Sequence, residues 1–112
     1  MIKNSISRKT LEDIAKAGFG DVVKAVIDIN QEIMAIGGEL HADEEVLLME
    51  KFGSKRECLW GVNLYPKKSK EEWVEFDSMI NLKPFYGNRS RGVDDAEIRG
   101  KIIKVVNKLV KD

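Results

Sequence analysis

Residues Gly87, Asn88, Arg89, Ser90, Arg91 and Gly92 place two guanidinium groups in a short glycine-bounded loop, just ahead of a helix predicted to begin at Asp94. Guanidinium forks, free backbone amides and a helix N-terminus all supply donors suited to phosphate oxygens, so residues 87–93 form a candidate anion site. Asp94 and Asp95 oppose that use, because they compete for the helix start. If Arg89 and Arg91 pair instead with carboxylates such as Glu75 or Asp77, the loop is a structural clasp.

A second constellation lies on the run 73–83 and on the strand before it. Polar residues two apart on a strand project to one side, which aligns Asn63 and Tyr65 with Glu75, Asp77, Met79, Asn81 and Lys83. Such alternation is also what a one-sided antiparallel sheet shows when it faces solvent. Short Asp and Asn side chains are poor strand formers, however, so three of them point to partners or a purpose. Asn63, Asp77 and Asn81 are candidate hydrogen-bonding groups for a polar ligand, with Tyr65, Trp73 or Tyr86 available to stack on a base.

The third cluster is Glu39, His41, Asp43, Glu44 and Glu45. A histidine among carboxylates suits a general base, and His41 and Asp77 are the candidate catalytic groups. A metal site is not expected, since His41 is the single histidine and Cys58 the single cysteine. Acidic residues in a first helical turn are also explained by the helix dipole alone. Gly37-Gly38 lacks the spacing of a dinucleotide or phosphate-binding loop, so no cofactor is implied. Cys58 reads as a small core residue, and Ser78 lacks the glycine-flanked turn of a nucleophile elbow.

The elements that must position these groups follow from periodicity. Residues 7–17 predict a helix capped by Ser7, with Leu11, Ile14 and Ala15 on one face and Gly18 in the left-handed terminal position. Val22–Ile29 and Glu32–Ile36 predict a hairpin turning at Asn30-Gln31, with Val23, Ala25, Ile27 and Ile29 on one face. Asp43 to Gly53 predicts a second helix. Residues 58–65 alternate so that Cys58, Trp60, Val62 and Leu64 share a face, and 73–83 answers with Val74, Phe76, Ser78, Ile80 and Leu82 as a second hairpin. Asp94 as N-cap with Glu97 behind it opens a final helix carrying Ile98, Ile102, Val105, Val106 and Leu109. The expectation is an α+β fold in one domain, residues 1–112, of order α-β-β-α-β-β-α: a mainly antiparallel four-stranded sheet from two β-hairpins, covered by three helices on one face.

Composition limits the function. Acidic and basic residues balance at 19 each, which argues against a dedicated nucleic-acid binder. Apolar runs are interrupted by Lys24 and Asp28, so no membrane span is expected. The N-terminus has no apolar signal core and Cys58 has no partner thiol, which predicts a cytoplasmic protein.

The strings Ile-Met-Ala-Ile-Gly-Gly-Glu-Leu-His-Ala-Asp-Glu-Glu (33–45), Leu-Trp-Gly-Val-Asn-Leu-Tyr-Pro (59–66), Glu-Phe-Asp-Ser-Met-Ile-Asn-Leu-Lys-Pro (75–84) and Gly-Asn-Arg-Ser-Arg-Gly-Val (87–93) resemble a family of small uncharacterised prokaryotic proteins, a domain of unknown function. The resemblance implies no activity and transfers no catalytic residue. From the residues themselves, the leading expectation is a non-enzymatic binding or interaction protein. Its anion or polar-ligand site would use Asn63, Asp77, Asn81, Asn88, Arg89 and Arg91, for a phosphate-containing ligand or RNA. The alternative is a small hydrolase or nuclease in which His41 or Asp77 is the base and Arg89 or Arg91 stabilises developing charge. A homo-oligomer is a third expectation, if a strand edge is left unpaired.

Overall fold

The structure, a computed structural model, describes residues 2–111. Strands β1 (Ile2–Lys3), β3 (Val23–Asp28), β4 (Ile33–Ile36), β5 (Leu59–Leu64) and β6 (Val74–Glu75) form one antiparallel sheet in the order β1-β4-β3-β5-β6. The two expected hairpins, β3–β4 and β5–β6, are its body, and β1 adds an edge strand beside β4. A parallel pair of two-residue strands, β2 (Ile6–Ser7) and β7 (Val110–Lys111), joins the chain's two ends.

The turn after β3 works without glycine because Asp28 replaces it. Its carboxylate, 1% exposed, accepts from the amides of Asn30 and Gln31 at 2.8 and 3.0 Å and from Ser54 Oγ at 2.6 Å. These bonds hold the turn closed while Glu32 takes a left-handed conformation (φ 58°).

Helix α1 (Arg8–Ala17) starts as expected, with Ser7 Oγ accepting from Thr10 N at 3.1 Å. Its end differs: Gly18 has φ −111°, and the left-handed conformation falls on Gly20 (φ 103°), whose N–H donates to Ala15 O. Helix α2 (His41–Phe52) begins two residues before the expected Asp43 and has no side-chain cap, while Gly53 (φ 66°) closes it. Helix α3 (Ala96–Leu109) is capped by Asp95, not Asp94, through Glu97 N at 2.8 Å. Asp94 is diverted because its carboxylate closes the preceding loop, accepting from Arg89 N and Ser90 Oγ.

Helices cover both faces of the sheet, not one. Leu11 and Ala15 of α1 and Ile102, Val105, Val106 and Leu109 of α3 pack with Val23, Ala25, Ile27, Trp60, Val62 and Leu64. On the other face, Leu48 of α2 packs with Val26, Ala35 and Leu59. Helix α2 starts at His41 and shields this second face over Val26 and Gly61. The next cross-strand pair on that face, Lys24 and Asn63, floors an open cleft.

The second hairpin is shorter than expected. Strand β6 ends at Glu75, and residues 79–81 and 84–86 form single 3₁₀ turns where a continuous strand was predicted to residue 83. Ser78 caps the first turn by accepting from Ile80 N, and Pro84 enters the second, so local side-chain bonding displaces the ladder. Asn81 then takes the place of a strand residue. Its amide accepts from Gly61 N at 2.8 Å and donates to Gly61 O at 3.0 Å, as a neighbouring peptide would.

A polar cleft at the N-terminus of helix α2

The cleft has a volume of about 260 Å³ and brings together Lys24, His41, Asn63, Asp77 and Arg91, with Leu40 and Met79 at its rim. Its parts come from five places in the chain. Lys24 and Asn63 are partners on adjacent strands, His41 is the first residue of α2, and Asp77 and Arg91 sit on two loops stitched together by Ser78 N donating to Arg91 O at 2.9 Å.

His41 is 7% exposed, and its Nε2–H donates to Val62 O at 2.8 Å. That bond fixes the tautomer and leaves Nδ1 as a lone-pair acceptor without a partner among the described residues. Burial pushes the His41 pKa below its ordinary value, partly offset by the Val62 carbonyl, and Lys24 lowers it further. The ring is therefore neutral at pH 7. No hydrogen bond joins Ser78 to His41, so no serine-histidine nucleophile is assembled. The two side chains instead crowd Gly61, where an added Cβ would lie 2.5 Å from Ser78 Oγ and 3.2 Å from His41 Cδ2. The bare backbone at Gly61 is what lets helix α2 and the Ser78 loop close on the sheet.

Asn63 donates from Nδ2 to Glu75 Oε1 at 2.8 Å and to Asp77 O at 3.3 Å. Tyr65 donates its hydroxyl to the same Glu75 oxygen at 3.2 Å. Asn63 Oδ1 is buried with no partner among the described residues, as is Glu44 Oε1. Leaving a buried acceptor unpaired is costly, so the floor of the cleft has unused hydrogen-bonding capacity. Arg91 Nε pairs with Asp77 Oδ1 at 2.8 Å, both groups being about half exposed.

Of the residues singled out in the sequence, His41, Asn63, Asp77 and Arg91 thus converge. The other candidate site residues, Asn81, Asn88 and Arg89, do not join them. Asn81 is fully buried against Gly61 and also donates to Arg91 O at 2.9 Å. Asn88, also buried, donates to the carbonyls of Asn81, Ser90 and Gly92 and accepts from Asp94 N. Two of the loop amides are consumed internally, Arg89 N by Asp94 and Gly92 N by Ser90 Oγ, which removes donors that an anion nest would use. The exposed Arg89 side chain lies outside the cleft lining. Tyr86 donates to Glu57, and Trp73 is buried beneath Arg8.

Lys24 is a residue of the site that the sequence does not mark as one, and the burial of nearby Glu44 is likewise unmarked. Lys24 was visible as the charge interrupting an apolar strand. Glu44, 2% exposed, accepts from Gly38 N at 3.0 Å, and its burial could not be told from a solvated first-turn acid. Among the described residues no cluster of metal-ligating side chains occurs, and no helix is long and apolar enough to cross a membrane.

Fold and site together define a small α+β protein with a compact polar cleft beside the N-terminus of a helix. The chain belongs to the family described as protein of unknown function (DUF5674), whose family model matches residues 1–109. No curated protein and no solved structure matches it significantly.

Proposed function

We propose that the protein is a cytosolic binding protein whose cleft takes a small anionic ligand carrying hydrogen-bond donors. The observation that carries this reading is the juxtaposition on one cleft of two cations, Lys24 and Arg91, with His41 and Asn63, whose Nδ1 and Oδ1 have no hydrogen-bond partner among the described residues. Lys24 has no carboxylate partner among the described residues, so its charge is available to a ligand. A volume of about 260 Å³ falls just below the usual range for small-molecule sites and suits a small metabolite better than a nucleic-acid strand.

Titration with inorganic phosphate, followed by NMR shifts of the cleft amides, tests this. Lys24→Ala and Arg91→Ala are each expected to weaken binding roughly tenfold, the worth of one charged hydrogen bond. Arg89→Ala should leave binding unchanged. If Arg89→Ala is the damaging substitution, or none of the three matters, the cleft is not the site.

A second reading, hydrolysis, draws support from the neutral His41 ring, which lines the same cleft as Arg91 and has no partner at Nδ1 among the described residues. Asp77 is occupied by its ion pair with Arg91, which leaves His41 as the candidate base. It predicts phosphomonoester turnover that is lost in His41→Gln while phosphate binding persists. Absence of turnover in the unaltered protein rejects it.

A further inference from the structure

A second cleft, of about 480 Å³, lies on the other side of Lys24 and is walled by Ile14, Ala17, Phe19, Val22 and Val23. Lys24 lines both clefts. So does one continuous stretch of chain: residues 37–39 border the apolar cleft and residues 40–42 the polar one. The Lys24 ammonium lies 5.5 Å above the Phe19 ring and has no carboxylate partner among the described residues. Phe19 and Leu40 flank it with about half of their surface in water, 51% and 58% exposed. Large apolar side chains exposed around an unpaired cation suit a ligand with both characters.

We infer that the two clefts are one site for a small amphiphilic anion, its phosphate or carboxylate head on Lys24 and Arg91 and a short apolar tail along Ile14, Ala17 and Phe19. This rests on the anion reading of the polar cleft and extends it by naming the class of ligand. Lys24 is then the pivot of the site, its ammonium serving the head and its methylene stem continuing the apolar wall.

Calorimetric titration of the full chain with methyl, butyl and hexyl phosphate, and with butanoate and hexanoate, tests the inference. Affinity should rise about twofold per added methylene, about half the free energy of complete burial, because the groove is open on one side. Ala17→Trp, a substitution at an exposed helix end, should fill the groove and flatten that rise while leaving methyl phosphate affinity within about twofold. A rise in either series supports the inference, and the steeper series identifies the head. Methyl phosphate binding with a flat series, or a rise that survives Ala17→Trp, overturns the amphiphile while leaving the anion site standing. Failure of every compound to bind overturns both.

Discussion

Asn81→Ala is expected to destabilise the protein by about 3–5 kcal/mol. Asn81 is fully buried, and its amide makes three bonds to backbone: to Gly61 N, Gly61 O and Arg91 O. The strand that should have flanked β5 stops at Glu75, so this one side chain completes the ladder at Gly61. Alanine would leave the buried N–H and carbonyl of Gly61 without their partner, leave Arg91 O with Ser78 N alone, and open a cavity, each of which has a cost. Denaturant unfolding should show a lower midpoint with an unchanged slope, and the melting temperature should fall by about 10–20 °C. A loss below about 1 kcal/mol would mean that water replaces the amide and that Asn81 does not hold the loop to the sheet. Because Asn81 also anchors Arg91 O, the same substitution should loosen the cleft.

Glu44→Gln should have the opposite sign, and a strong pH dependence. Burial raises the Glu44 carboxyl from 4.5 to about 8, although Gly38 N–H donates to it. The unfolded chain gives up this proton near pH 4.5 and the folded chain near pH 8. Between those values the folded state therefore binds more protons, and stability falls as pH rises. The shift corresponds to about 5 kcal/mol at most, and relaxation around the charge reduces this to about 2–4 kcal/mol. Glutamine keeps an acceptor for Gly38 but cannot ionise. The variant should match the parent near pH 4 and exceed it by about 2–4 kcal/mol at pH 9, read from denaturation curves across that range. Parallel pH profiles for the two proteins would show that Glu44 ionises normally.

Local signals located most of the elements. Ser7 as a cap, Gly53 as a helix end and the alternation of Trp60, Val62 and Leu64 each depend on a few neighbouring residues, and each is found where the sequence places it. Signals that depend on distant partners misled. The alternation of Val74, Phe76, Ser78, Ile80 and Leu82 mimics a strand, yet Ser78 and Asn81 are satisfied by bonds that end it. Asp94 has the spacing of a capping box, but the loop before it competes for its carboxylate. The two-face burial had a readable trace: Ile33-Met34-Ala35-Ile36 is continuously apolar, as strands covered on both sides are. The two-residue strands at the chain ends carry no periodicity to read.

The same distinction explains the site. His41, Asp77 and Arg91 were legible as residue types with chemistry in reserve, whereas their meeting depends on the helix start at His41 and on the loop stitch at Ser78. Asn88 looked equally available, and its four bonds to backbone instead build the loop from which Arg91 reaches the cleft.

A crystal structure grown in phosphate would show where the anion sits. It is expected in the cleft between Lys24 and Arg91, within hydrogen-bond reach of both, with Arg91 shared between the anion and Asp77. A cleft holding water alone, with Arg91 bound solely to Asp77 and the anion elsewhere on the surface, would contradict that expectation.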